Sequence, residues 1–301
     1  MSKNNNTQLI NLYSQQLNKT NHKLSPIISK TESIINNRVF PLIIRKLSSE
    51  ELSKRNLNCK LSLKLSLQSN QFKQFNLTNK LKPVIDFRNN FPQIYDQGAL
   101  ASCTANALCG LIGYTYKYLL GSRLFLYYNE RLLENNVKFD DGAYLSDGIL
   151  TLQQNGICPE IFWKYNNNFA KQPPMSCYNI ALKHKIYNVY NIPNSLQIMK
   201  QYLSNGYPFV LGICIYESFV SNSVAINGIV SMPNTTTEAF LGGHAVVCVG
   251  YNDRMTSNGI TGFWIMRNSW GTSWGDNGHF YLPYAYLIDI NLCSDIWTIT
   301  K

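Results

Sequence analysis

A chain of 301 residues, 45% hydrophobic and 13% aromatic, can bury a large core in one domain or two closely packed subdomains. No apolar run approaches the roughly 20 residues that span a bilayer, and the opening MSKNNNTQLINLYSQQLNKT lacks the basic and apolar regions of a secretory signal, so no transmembrane segment and an intracellular place are expected. The net charge of +10 would suit an anionic partner, but residues 1–82 hold 14 Lys and Arg against 3 Asp and Glu while 83–301 hold 13 against 14; outside the first segment nothing calls for an obligatory nucleic acid.

Residues 1–82 are rich in Asn, Lys, Ser and Gln. Leu9–Leu17 and Ile34–Phe40 have the pattern of short helices, the second stopped by Pro41, and Leu61, Leu63, Leu65 and Leu67 alternate with polar residues as one strand. A second unit is expected over 83–301. Thr104–Leu120 predicts a helix with Ala107, Leu108, Leu111, Ile112, Thr115, Tyr118 and Leu119 on one face. Ser122–Leu133 and Asp147–Gln154 predict two more, the last closed by Asn155-Gly156. From Tyr207 the pattern turns to strands, YPFVLGICIY, HAVVCVGY, GFWIMRN and GHFYLPY, separated by turn residues such as Ser257-Asn258-Gly259. A helical half followed by a β-rich half predicts an α+β fold of two subdomains facing across a cleft.

Eight cysteines, Cys59, Cys103, Cys109, Cys158, Cys177, Cys214, Cys248 and Cys293, show no C-x-x-C spacing of a zinc site or redox dithiol, and reduced, mostly buried thiols are expected. Cys103 differs by its place. It opens a helix, where the positive end of the macrodipole favours a thiolate, although a lone Cys is more often a small buried hydrophobe. A thiolate nucleophile needs an imidazole partner. His22 lies in the polar leader, His184 sits between lysines in ALKHK, and His279 lies in the last Gly-rich turn. His244 follows Gly242-Gly243 and opens the apolar strand AVVCVGY. Asn268 closes the strand GFWIMR, where its side-chain carbonyl can accept the second imidazole N–H and fix the ring, with Trp270 as a shield from water.

Together these motifs resemble the papain-like, cathepsin-related cysteine proteases. The resemblance runs from about Pro83 to the C-terminus and rests on Gln97-Gly98…Ser102-Cys103, on Gly243-His244-Ala245-Val246…Gly250-Tyr251, and on Asn268-Ser269-Trp270-Gly271…Trp274-Gly275…Gly278. That family carries His and Asn roughly 130–150 residues after the Cys; here the separations are 141 and 165. The family's cysteine three residues before the nucleophile is Leu100 here, so its disulfide is absent; the aromatic after the nucleophile is Thr104, and the Cys-x-Gly-Gly cleft wall is not recognisable, its nearest pieces being Asp141-Gly142-Ala143 and Ser146-Asp147-Gly148. These departures, with Ser122-Arg123-Leu124-Phe125, Gly156-Ile157-Cys158-Pro159-Glu160 and Tyr216-Glu217-Ser218-Phe219, are similar to a divergent branch of bacterial and large-DNA-virus members; a viral source would make a virion-associated place possible.

The resemblance implies a helical subdomain against a β-barrel-like one, and peptide-bond hydrolysis through a thioester. Cys103 is the implied nucleophile, His244 its base and acid, Asn268 the group that orients the imidazole, and Gln97 an oxyanion donor. Protein or peptide substrates follow, with no metal or organic cofactor, and endopeptidase action, since no histidine-bearing occluding loop is apparent. It also implies a self-inhibited zymogen with residues 1–82 as an intramolecular inhibitory prosegment, although the family's usual prosegment motif is missing. Cys59, the leader's single thiol, could cap Cys103 as a mixed disulfide. Two alternatives stay open: a catalytically silent papain-like binding protein, and a Cys-His amidase or acyl transferase.

Overall fold

The computed structural model describes residues 81–117 and 119–300. The helices and strand expected before residue 81, and Cys59, lie outside the described residues.

The first half is helical: α1 (Cys103–Thr115), α2 (Arg123–Leu133), α3 (Leu145–Gln154) and α4 (Met175–Ala181). Every residue of α1 from Cys103 to Gly113 is buried, so α1 is a central helix covered all round rather than the one-faced helix its stripe predicts. Small residues make this possible. Gly113 lets Pro92 approach so closely that an added Cβ would stand 2.8 Å from the proline ring. The helix stops at Thr115, short of the expected Leu120, because the chain must turn to bring Gly121 into a bridge with Pro159 and the Ser122 N–H onto the Cys158 carbonyl at 2.7 Å. Ser122 then caps α2, its hydroxyl accepting from the Phe125 N–H at 3.1 Å. Helix α3 starts at Leu145, two residues before the predicted Asp147.

The second half is built on one antiparallel sheet: β1 (Val84–Asp86), β2 (Asn188–Asn191), β3 (Phe209–Tyr216), β4 (Phe240–Ser257), β5 (Ile260–Arg267), β6 (His279–Pro283) and β7 (Cys293–Thr300). The order is β2-β7-β3-β4-β5-β6, with β1 also paired to β4. Short helices α5 (Leu196–Ser204), α6 (Asn222–Asn227) and α7 (Tyr284–Ile288) flank it. The strand predicted from HAVVCVGY lies inside the 18-residue β4, which forms the spine of the sheet.

Strand alternation divides the interior. Ala245, Val247 and Val249 join the core shared with α1 and α2, whereas Val246, Cys248 and Tyr251 join a second core with Trp264, Trp270 and Phe280. The sheet therefore presents one face to the helices, and α1, whose first residue is Cys103, packs on β4, the strand that carries His244. No helix among the described residues is long and apolar enough to cross a membrane.

Candidate active site

On the strand side, His244 is fixed by backbone pairing opposite Ile213 and is fully buried. Its Nε2 lies 2.8 Å from Asn268 Oδ1. The same oxygen accepts the Ser269 N–H at 2.8 Å, and the Asn268 N–H donates to the Gly278 carbonyl, so the amide cannot turn freely. Trp270 stacks on the imidazole, centroids 4.8 Å apart at 29°. Trp270 is held in turn by edge contacts with Phe219 and Trp274.

On the helix side, Cys103 is the first residue of α1 and fully buried. Its thiol is pushed up to about 12 by burial; the Ala245 N–H opposes the rise, the Glu130 carboxyl adds to it, and the N–H groups of Thr104 and Cys103 pull it down. Loss of water thus outweighs the helix dipole, so the helix start favours a thiolate only together with an ion-pair partner such as an imidazole. The Ala245 contact puts the sulfur beside the residue that follows His244.

Gln97 reaches the same place from a loop. Gly98 takes φ +59, a conformation that suits glycine, and its N–H donates to Asp96 Oδ1 at 3.0 Å. The Gln97 side chain is clamped at both ends: its Nε2 donates to the Leu100 carbonyl at 3.0 Å and its Oε1 accepts from Ser269 Oγ at 2.7 Å. The amide keeps a second N–H that these two bonds do not use. Asp96 bridges Trp270, and the Gln97 N–H donates to the Ser269 carbonyl, so the loops bearing Gln97 and Asn268 are joined directly.

Several supports escaped sequence reading. Asp140 accepts the Ala101 N–H at 3.1 and 3.2 Å and the Tyr127 hydroxyl at 2.5 Å. A carboxylate thus ties down the loop that precedes Cys103, the loop in which Leu100 replaces the family's bridging cysteine. The fully buried Arg131 holds the approach to Asp140 by donating to the carbonyls of Val137 and Phe139, each at 3.0 Å, and of Phe169 at 2.7 Å. Tyr165 donates to the Gln97 carbonyl at 3.0 Å and meets the Ser102 hydroxyl. Next to Cys103, Glu130 accepts from Thr104 Oγ1 at 2.8 Å, and burial raises its carboxyl to about 8. His184 and His279 stay apart from this group. His279 begins β6 opposite Arg267, and burial, with Arg267 and Arg88 adding to it, lowers its imidazole to about 4. Among the described residues no group of His, Cys, Asp and Glu could hold a metal ion.

Residues 81–293 match the model of the papain family of cysteine proteases. The chain belongs to the papain family. Its papain-family relatives include an uncharacterized peptidase C1-like protein of Acanthamoeba polyphaga mimivirus, 37% identical over 266 residues that cover 79% of this chain and 82% of that one. A cathepsin B-like protein of Giardia intestinalis is 27% identical over 218 residues, 68% of this chain and 69% of that one. Among solved structures, xylellain, a cysteine protease from Xylella fastidiosa, superposes with a TM-score of 0.68 at 33% identity, covering 77% of this chain and 90% of its own. The resemblance to viral and bacterial members holds, and the protein is a cysteine-type peptidase with the papain-like fold.

Proposed function

We propose that this peptidase cleaves within protein chains through a thioester on Cys103. The observation that carries the reading is the 2.8 Å hydrogen bond from His244 on β4 to Asn268 just after β5, beside the Ala245 N–H that Cys103 faces. The buried thiol gives its proton to His244, and the ion pair so formed offsets the cost of a buried thiolate. The sulfur attacks the scissile carbonyl. The Cys103 N–H and the second amide N–H of Gln97 hold the oxyanion, each contributing roughly 3 kcal/mol. His244 protonates the leaving amine and then takes a proton from water to release the acyl group. Asn268 keeps the ring oriented through both steps, and Trp270 keeps water from their bond.

Residues 1–82 act as an inhibitory prosegment in this reading. Two features accompany it: the leader carries the chain's excess positive charge, and Cys103 and His244 are fully buried. The test is intact-mass analysis after an epoxide thiol-protease inhibitor, on the full chain, a form lacking the leader, and Cys103→Ala, with product mapping on a denatured protein. Labelling at Cys103 alone, faster without the leader, with internal peptide bonds cut, is expected. No labelling of either form with Cys103 reduced would overturn the nucleophile, and equal rates would overturn the inhibition.

A further inference from the structure

Outside the reaction centre, two thiols share one small space. Cys158 and Cys177 are 0% and 1% exposed, and each thiol lies against a carbonyl of one short turn. Both sulfurs sit under the same turn. The Cys158 thiol is 3.5 Å from the Pro159 carbonyl, the Cys177 thiol 3.8 Å from the Phe162 carbonyl, and the turn is closed by the Phe162 N–H on the Pro159 carbonyl at 3.0 Å. Above them, Ile161 and Phe162 are 74% and 56% exposed, so only the outermost layer of the fold separates the sulfurs from solvent.

The segment between the two thiols reaches the loop ahead of Cys103. Its Glu160 pairs with Arg123 at 3.2 Å and accepts the Tyr165 N–H at 2.8 Å. The Trp163 carbonyl accepts from Ser122 Oγ at 2.6 Å. Its Tyr165 props Gln97 and Ser102, with the Arg123 guanidinium 4.0 Å over the tyrosine ring. The two thiols therefore stand at either end of the buttress that backs the oxyanion loop.

We propose that Cys158 and Cys177 form a disulfide when exposed to a low-molecular-weight disulfide such as oxidised glutathione, and that this cross-link locks the buttress in place. One thiolate of the pair attacks glutathione disulfide, forming a mixed disulfide and expelling one glutathione thiolate. The second sulfur gives its proton to water and displaces the other glutathione. Two S–H bonds are lost and one S–S bond is made; the two electrons given up by the pair reduce glutathione disulfide to two thiols. The exchange needs the Pro159–Phe162 turn to open, because neither thiol is exposed.

The link to Cys103 chemistry rests on the proposed peptidase mechanism, but the cross-link does not, so the experiment uses the full chain as Cys103→Ala. Equilibrated in glutathione buffers of rising oxidation, trapped with an alkylating agent and mapped, it should yield one Cys158–Cys177 linked peptide about 2 Da lighter than the two free-thiol peptides together. The oxidised form should melt roughly 5 °C higher and be cut within 159–176 about tenfold more slowly by an added protease. Neither change should occur in Cys103→Ala carrying Cys158→Ser or Cys177→Ser. Recovery of both thiols alkylated after full oxidation, or pairing of either with another cysteine, would overturn the disulfide. A cross-link that leaves the cutting rate unchanged would overturn the lock.

Discussion

The two sides of the candidate active site are built by different means. His244 belongs to a strand hydrogen-bonded on both flanks, and Asn268 follows directly on the neighbouring strand. Their spacing comes from sheet register, which backbone groups enforce whatever the side chains are. Gln97 and Ser102 lie on a loop outside any strand, tied by backbone only at Asp96 and Gln97 and otherwise held by individual side chains drawn from Asp140, Tyr165 and Ser269. A ladder tolerates change at its positions, whereas a loop held by single side chains depends on each of them. It is on the loop side that the chain departs from its family, with a carboxylate in place of a disulfide.

The contrast is broken most severely at the strand side's one reacting group. His244→Ala should lower kcat/KM by about 10⁴-fold or more, while the melting temperature changes little beyond the loss of one stacked ring, as peptide hydrolysis and calorimetry would read. Trp270→Ala should act on stability as well, costing about 4 kcal/mol in urea unfolding because it empties a space lined by Phe219, Trp274 and His244.

Acid should test the strand side next. His279 is neutral when folded and its free value is 6.5, so below that the unfolded chain binds the extra proton; stability present above pH 6.5 is lost as pH falls towards 4, by about 3 kcal/mol. Urea midpoints at pH 7 and 4.5 should draw together in His279→Gln. On the helix side the sign reverses. Glu130 is held protonated up to about 8 against a free value of 4.5, so its contribution is complete below pH 4.5 and is lost as pH rises towards 8. Glu130→Gln should be the more stable protein at pH 8, with the gain absent at pH 4.

The smallest effect sharpens the comparison. Asp140→Ala leaves the Ala101 N–H and the Tyr127 hydroxyl without their acceptor, and kcat/KM should fall about tenfold to a hundredfold. Asp140→Asn, which keeps one acceptor oxygen, should recover part of it. If Asp140→Ala cost no more than a surface substitution, the nucleophile loop would not depend on its side-chain ties.

Much of this could be read in the sequence because the residues concerned answer to local rules. Gly242-Gly243 before His244, the aromatic and glycine run after Asn268, and the strands of alternating apolar residues are signals carried by neighbours. What escaped depends on closeness in space. Asp140 lies 39 residues from Ala101, and nothing near either predicts their meeting. Strand β7 was missed because Asp295, at φ +53, breaks its alternation, and β1 because three residues carry no period. The burial that raises the Cys103 thiol could not be read either, because a sequence shows the helix start but not how deeply it is covered.

Strand β1 also bounds where the chain could be cut. The Tyr251 hydroxyl donates to the Lys82 carbonyl at 2.7 Å, the Asp253 N–H to the Pro83 carbonyl at 2.8 Å, and Gly250 lies so close that an added Cβ would stand 2.1 Å from the Ile85 carbonyl oxygen. Residues 82–86 are thereby sewn into the strand that carries His244. If the leader is removed as proposed, a cut on the amino-terminal side of Lys82, rather than after it, leaves these bonds whole. A mature enzyme trimmed past Asp86 would lose part of the lattice that keeps His244 in register, and its new amino terminus would mark damage rather than activation.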